Sequence, residues 1–233
     1  IGAAYWAYVQ ATRENPDPIG PIYWGPTVER TEQEAIKEAA QDGTFEYEEV
    51  DQIEDAVADL LLEKKIVARV SDRMEFGARA LGNRSILADP RDLNNVRVIN
   101  RMIKMRDFWM PFAPVILAES QDEYLHRAKP IRSPYMMFAF DTRTARRSEI
   151  IAAVHQADGT ARPQIIERDY NPPYYDILRR FEKSTGLGAL LNTSFNLHGY
   201  PIALGPKEAM WVFQNSELEY LALGHYLLRK KSK

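Results

Sequence analysis

The alternation of apolar and polar residues predicts helices and strands that follow one another along the chain. Apolar residues spaced for one helix face are Ile53, Val57, Leu60 and Leu61 in one segment, and Tyr174, Ile177, Leu178 and Phe181 in another. The second helix is expected to end at Gly186, because glycine tolerates the left-handed backbone that closes many helices. Further helices are predicted over residues 1–10, from Thr31 with Glu34 as a capping box, from about Val96 to Lys104, and from Pro206.

Short runs rich in β-branched and aromatic residues predict strands between these helices. The runs are KIVARVS from Lys65, FAPVILA (112–118), YMMFAF (135–140), GALLNTSFN (188–196), LEYLALG and YLLRK. Asp158-Gly159 lies between two extended runs and predicts a β-hairpin. Because strands and helices are interleaved and a hairpin is present, we expect an α/β fold with a mixed sheet.

Length and composition narrow the class of protein. The chain has 233 residues, of which 45% are apolar, so it can bury a sizeable core in one or two domains. No run approaches the roughly 18 uncharged apolar residues of a membrane span. The absence of cysteine excludes disulfides, thiolate zinc sites and thiol nucleophiles, and we expect a cytoplasmic protein. The opening IGAAYWAYVQ lacks the features of a signal peptide and indicates a start within a longer protein.

Charge is distributed unevenly along the chain. Residues 29–63 hold 13 acidic and 2 basic side chains, whereas residues 66–115 hold 9 basic and 5 acidic ones. Domains that bind nucleic acid are usually basic overall, but the net charge here is −3. The local basic segment therefore favours a confined site for a small and strongly anionic ligand.

The basic segment contains the run EFGARALGNRS, in which Arg79 and Arg84 flank Gly82. Arginine offers a planar fork for phosphate, and glycine lets backbone N–H groups approach an anion. Neither GxxxxGK[ST] nor GxGxxG occurs, so a nucleotide site here would be of another kind. Lys104 and Arg106 follow a predicted helix, where they either line the rim of the same site or neutralise the helix C-terminus.

Two further segments carry candidate chemistry. LLNTSFN places Thr193, Ser194 and Asn196 at the end of a buried strand, where such residues hold phosphate or adenine, or simply cap a turn. HQADGTAR offers His155 and Asp158 for acid–base or metal chemistry. A lone HxxD is a weak metal motif, and an aspartate that bonds its own backbone in a turn is the commoner arrangement. No residue is assigned to a metal.

Four blocks of sequence together resemble a known family. MEFGARALGNRSILADPR, INRMIKMRDFWMPFAP, HQADGTARPQ and NTSFNLHGYPI are similar to the C-terminal region of the nodulation- and antibiotic-type O-carbamoyltransferases, in the family's order. The resemblance implies a YrdC-like domain over residues 25–233, which is an open twisted mixed α/β sheet with helices packed on it and a basic concave face. Residues 1–24 would then be the tail of a preceding actin-like domain, with a linker.

The same resemblance implies an activity. The YrdC-like domain of this family forms carbamoyl adenylate from carbamoyl phosphate and ATP with Mg²⁺. The N-terminal actin-like domain, which binds a metal of its own, then carbamoylates a hydroxyl. The implied partners are the two substrates and the N-terminal domain, without a membrane or nucleic acid. Two polyanions must be brought together, so fixed cations have to cancel their repulsion.

Site residues follow from the motif positions that the resemblance supplies. It assigns the central phosphate contacts, and therefore catalysis, to Arg79, Lys104 and Arg162. The residues expected to bind the nucleotide are Ser194, Asn196, Thr193, Arg84, Arg106 and His155. No side chain needs to act as a nucleophile, because positioning and charge stabilisation carry such a reaction.

The sequence departs from the family at two positions. The family usually has Arg-Pro-Phe-Ala-Pro where Met110 begins the block here, and Gly-Pro-Arg where Ala78 precedes Arg79. The first departure removes an expected substrate arginine. The main alternative function is a YrdC-like module that binds RNA or takes part in tRNA threonylcarbamoyladenylate synthesis through the same basic face. A third is a non-catalytic domain that regulates its own N-terminal partner.

Overall fold

The computed structural model describes residues 1–29, 31–105, 110–126 and 131–231. The α-helices are α1 (Gly2–Thr12), α2 (Glu32–Ala39), α3 (Ile53–Leu62), α4 (Asn94–Ile99), α5 (Gln121–Tyr124), α6 (Pro172–Thr185) and α7 (Pro206–Gln214). Short 3₁₀ helices cover Ala40–Asp42, Ala118–Ser120 and Arg147–Ala153. Helix α4 continues as a π-helical turn at Asn100–Lys104, so the predicted helix end at Lys104 is confirmed.

The strands form a large mixed sheet and a small one. They are β1 (Phe45–Glu49), β2 (Val67–Val70), β3 (Arg84–Ala88), β4 (Ala113–Leu117), β5 (Leu125–His126), β6 (Phe140–Thr142), β7 (Thr160–Ala161), β8 (Gln164–Ile166), β9 (Ala189–Ser194), β10 (Tyr220–Leu223) and β11 (Tyr226–Lys230). The large sheet has the order β1-β11-β10-β2-β3-β9-β4-β8, and β5-β6-β7 form the small one. The pairs β10–β2 and β4–β8 are parallel and the other pairs are antiparallel, which confirms the mixed α/β fold.

Helices cover both faces of the large sheet. Helices α3 and α6 pack against one face, and α2, α4 and α7 against the other. Leu190 and Leu191 are neighbours on β9 but belong to opposite cores, because successive strand residues point to opposite faces. Within the described part of the chain, no helix combines the length and apolar character that crossing a membrane requires.

Local signals placed several elements correctly. Asn171 caps α6 by accepting a hydrogen bond from the Tyr174 N–H (3.2 Å), and the helix ends at Gly186 with φ 74°. Helix α2 begins directly after Thr31, as predicted, but the capping box is absent. The Thr31 hydroxyl donates to the Val28 carbonyl (3.0 Å) and accepts no hydrogen bond from the first turn of the helix.

Two predicted extended segments are wrong. Residues 135–139 lie outside strands, because Met136 has a left-handed backbone (φ 56°) that interrupts an extended run, and strand β6 begins only at Phe140. The run before Asp158 is not a hairpin arm either. Ala152 and Ala153 are buried in a 3₁₀ helix, in keeping with the helical preference of alanine, and β7 pairs with β6.

Strand β3 was missed because its arginine and serine resemble loop residues. In the structure all five residues of Arg84–Ala88 are buried, since β3 lies between β2 and β9 in the middle of the large sheet. A strand in that position is enclosed by its neighbours whatever its composition. The local pattern therefore gave no indication of it.

The predicted linker is packed onto the rest of the fold. Ile22 is buried and forms a third apolar cluster with Leu81, Ala113 and Met136. The Tyr135 hydroxyl lies 2.8 Å from the backbone carbonyls of residues 19 and 20. The chain therefore joins the folded body before the predicted boundary at residue 25. Helix α1, by contrast, has no buried residue.

Candidate anion-binding site

Two adjoining cavities open at the end of the large sheet where β9 ends and β4 begins. Their volumes are about 510 Å³ and about 90 Å³. The residues that line both are Arg79, Pro111, Phe112, Ala113 and Arg162. The register places Ser194 of β9 opposite Ser85 of β3, and Asn192 opposite Ala113 of β4. The antiparallel pairing thus brings residues that are distant in sequence to one site.

Arg79 and Arg162 form the cationic wall of this site. Among the described residues neither guanidinium has a carboxylate partner, and the Arg162 Nε is buried without a hydrogen-bond acceptor. Burial lowers the pKa of Arg162 from its usual value, and the positive charge of Arg79 lowers it further. Arg162 is therefore a partly desolvated cation beside the exposed Arg79, an arrangement that suits an anionic ligand.

Lys104 is held at the neighbouring end of β9. It is 1% exposed, and its ammonium group donates to Asn196 Oδ1 (2.6 Å), Ser194 Oγ (3.0 Å) and the Asn196 carbonyl (3.3 Å). The Ser194 hydroxyl also donates to Asn196 Oδ1 (2.6 Å). Three of the sequence-predicted residues therefore form one hydrogen-bonded group, and Thr193 and Ser194 also line the smaller cavity.

His155 and Asp158 lie on the wall of the larger cavity, together with Arg79 and Arg162. The His155 Nδ1 is 3.1 Å from the Asp158 carboxylate. Asp158 also accepts from the Thr160 backbone N–H (2.9 Å) and hydroxyl (2.8 Å), and these bonds lower the pKa of Asp158. The turn in which an aspartate bonds nearby backbone, which the sequence offered as the alternative to metal chemistry, is thus present. It orients the Asp158 carboxylate towards the His155 imidazole.

Arg84 does not belong to this site, and its predicted nucleotide contact is corrected. Its side chain is fully buried on β3, and its guanidinium donates to the backbone carbonyls of Pro26, Ser71, Asp72, Asn83 and Leu204. Burial lowers the pKa of Arg84 to about 10, so it remains charged at neutral pH. A guanidinium engaged in this way has no donors to offer a ligand.

Arg106 lies outside the described residues, so its predicted contact is not placed. Within the described ranges no group of three or more His, Asp or Glu side chains is arranged to hold a metal ion. The sequence analysis missed Asn192, which lines the smaller cavity. Its position two residues before Ser194 on the same strand would have predicted a shared face.

The chain belongs to a known family. The family model described as "Carbamoyltransferase C-terminus" matches residues 58–230, which is more than half of the chain. The chain is 36% identical to the nodulation protein NolO of Bradyrhizobium diazoefficiens over 99% of its own length. It is 38% identical to the nodulation protein NolNO of Sinorhizobium fredii over 91% of its length. The expected resemblance to carbamoyltransferases is thus confirmed.

The chain spans only part of these relatives, 42% of NolO and 31% of NolNO. Among solved structures it is similar to full-length HypF in a phosphate- and nucleotide-bound form, with 17% identity and a TM-score of 0.49. That similarity covers 74% of this chain and 21% of HypF.

Proposed function

We propose that this domain forms carbamoyl adenylate from carbamoyl phosphate and ATP at the Arg79–Arg162 site. Water adds to the carbonyl carbon of carbamoyl phosphate, and the C–O bond to phosphate breaks. A carbamate oxygen then attacks the α-phosphorus of ATP, and pyrophosphate leaves. The balance is carbamoyl phosphate, ATP and water giving carbamoyl adenylate, phosphate and pyrophosphate. An actin-like N-terminal domain of the full-length protein would then use this product to carbamoylate a hydroxyl of an acceptor substrate.

The observation that carries this proposal is that Arg79 and Arg162, in the cavity wall, have no carboxylate partner among the described residues. Carbamoyl phosphate and ATP are both anionic and repel one another, and the carbamate must come within bonding distance of the α-phosphate of ATP for the second step. Two arginines that have no carboxylate partner among the described residues offer bidentate contacts to such groups at no cost of breaking an existing ion pair. Since the donors are already in place, little reorganisation is needed when negative charge shifts between the substrates.

The remaining residues have roles that fit their surroundings. Ser194 and Thr193 line the smaller cavity, and Lys104 would supply a fixed positive charge behind them, because its ammonium donors are already engaged by Ser194 and Asn196. The imidazole of His155, next to Asp158, is placed in the cavity wall where it can accept a proton from water. Mg²⁺ would enter with ATP and neutralise the leaving pyrophosphate. A site with few carboxylates fits such an ion, because Mg²⁺ is held mainly by phosphates and water, with Asp158 as the available carboxylate.

The test is the dependence of pyrophosphate release on carbamoyl phosphate. With Mg-ATP, this chain is expected to release pyrophosphate only when carbamoyl phosphate is added, and to form AMP-containing product rather than ADP. Parallel measurements of phosphate and pyrophosphate should give a one-to-one ratio. Pyrophosphate released at the same rate without carbamoyl phosphate would contradict the proposal.

RNA binding through a basic face is less well supported. Several arginines of the basic segment are buried or paired, so they form no continuous exposed stripe. Arg69 and Arg84 are buried, while Arg91 pairs with Asp89 (2.6 Å) and Arg101 with Glu217 (3.6 Å). The salt dependence of ligand binding separates the two functions, because RNA releases many counterions and a mononucleotide releases few.

Met110 provides a second test of the substrate. It is 36% exposed and lines the larger cavity beside Arg79 and Arg162, where the family usually has arginine. The Met110→Arg change is expected to tighten carbamoyl phosphate binding by about ten-fold, since a charge-assisted hydrogen bond contributes roughly 1.5–3 kcal/mol. Arg84 cannot supply this charge from its buried position. Calorimetric titration with carbamoyl phosphate measures the change.

Met110→Gln is the size-matched control, because it changes packing without adding charge. If Met110→Arg binds no more tightly than Met110→Gln, the two existing arginines already satisfy the anion. If all forms bind ATP and none binds carbamoyl phosphate, the substrate assignment fails.

A further inference from the structure

The backbone directly after Arg79 is held by side chains, several of which come from distant segments. Asn192 Nδ2 donates to the Ala80 carbonyl (2.9 Å), and the Leu81 N–H donates to Glu75 Oε1 (2.6 Å). The Leu81 carbonyl accepts from the Tyr23 hydroxyl (2.7 Å) and from Gln164 Nε2 (3.2 Å). The Gly82 N–H donates to Ser85 Oγ (3.0 Å), and the Gly82 carbonyl accepts from Arg69 Nη1 (2.8 Å). Residues 80–82 are therefore fixed through side chains rather than through a sheet ladder.

Close packing also restrains this loop. Gly82 has φ 113°, and a β-carbon there would lie 2.3 Å from the Tyr174 ring. The loop thus has no room for a side chain at this point, and its backbone lies directly on an aromatic ring. A loop restrained in this way can hold an arginine in one place before any ligand binds.

Tyr23 differs from the other side chains that bond to residues 80–82, because it comes from the segment that the sequence predicted to be a linker. Its neighbour Ile22 packs against Leu81, Ala113 and Met136, and the last two line the smaller cavity beside Arg79. Burial raises the pKa of the Tyr23 hydroxyl, so it remains a protonated donor at neutral pH. The segment therefore forms the support behind the anion site.

We propose that Tyr23 is a positioning residue for Arg79, and that residues 19–23 are an integral part of the anion site rather than a connector. The hydroxyl fixes the Leu81 peptide, two residues after Arg79, and thereby fixes the direction in which the arginine leaves the loop. The inference rests on the proposed function only in taking phosphate as the ligand. Its structural part is independent of any reaction.

The test variant is Tyr23→Phe, which removes one hydroxyl and keeps the ring. We expect amide hydrogen exchange across residues 79–82 to rise about two- to ten-fold, the range that a neutral hydrogen bond spans. We expect the affinity for inorganic phosphate, followed by titration calorimetry, to fall by a similar factor. The decrease should disappear in an Arg79→Gln background, because Tyr23 acts through that arginine.

Tyr175→Phe is the matched control. It removes a tyrosine hydroxyl that donates to Glu119 (2.6 Å) from α6, and it should change neither the exchange of the loop nor phosphate binding. If Tyr23→Phe lowers the unfolding midpoint strongly, Gln164→Leu replaces it, because it removes the longer bond to the same Leu81 carbonyl.

Unchanged exchange of the loop in Tyr23→Phe would overturn the proposal. So would an equal loss of phosphate affinity with and without Arg79, because Tyr23 would then act by another route. A protein that binds no phosphate but shows faster exchange in Tyr23→Phe would support the restraint of the loop and contradict the proposed function.

Discussion

Arg162→Gln is expected to lower carbamoyl-phosphate-dependent pyrophosphate release by about 10²–10³-fold, the cost of losing one preorganised donor to a developing anion. Arg162 lines both cavities and has no carboxylate partner among the described residues. Its donors are therefore available to a ligand in the cavity. Glutamine retains much of the length and polarity of arginine while removing the charge. A coupled pyrophosphate assay measures the loss.

The same change is expected to leave the free energy of unfolding equal to or above that of the wild type. Burial and Arg79 lower the pKa of Arg162, which means that folding disfavours its charged form. Removing the charge therefore relieves a cost. Arg168→Gln is a suitable control, since it removes an exposed arginine paired with Asp176 (3.3 Å). An Arg162→Gln protein that is destabilised yet fully active would show that Arg162 has a structural role.

Arg84→Gln is expected to have the opposite pattern, with a loss of about 3–5 kcal/mol in the free energy of unfolding, as when one partner of a buried charged group is removed. Arg84 is fully buried, and its guanidinium satisfies backbone carbonyls of Asn83, just before β3, and of three other segments. Without it, those buried acceptors lose their donors, and the nearby Glu75 carboxylate, which keeps its bonds to the Leu81 and Arg84 N–H groups, loses a favourable charge. Urea denaturation measures the change.

Arg79→Gln is the matched comparison for Arg84→Gln, because the two arginines lie in the same short motif. Arg79 is exposed and lines the cavities, so its replacement should affect binding and leave stability nearly unchanged. If Arg84→Gln instead unfolded like the wild type and bound ATP more weakly, the original nucleotide assignment would be correct. The two variants thus separate a structural arginine from a binding one.

The sequence could distinguish these arginines only in part. Motif resemblance indicated that Arg79, Arg162, Lys104 and Ser194 share a site, and the structure places the first two in one cavity and the last two in one hydrogen-bonded group. The same motif also suggested Arg84. Nothing in the run ARALGNRS indicates that its second arginine begins a central strand and its first lies on an exposed loop.

Local physical chemistry was sufficient for the helices. Apolar spacing, the αL glycine at residue 186 and the proline at residue 206 act within a few residues, so α3, α6 and α7 could be predicted without knowledge of the fold. Charge segregation likewise pointed to an anion site before any geometry was available. Each of these features is set by residues that lie close together in the sequence, so the sequence alone is enough to predict it.

Packing between segments that are distant in sequence determined the features that could not be predicted. Strand β3 is a strand because β2 and β9 enclose it, and Arg84 is structural because carbonyls from other segments surround its guanidinium. Residues 19–23 form the support of the anion site because Tyr23 meets a carbonyl 58 residues further along the chain. Burial and hydrogen bonding of this kind arise only when the chain has folded, and no local pattern encodes them.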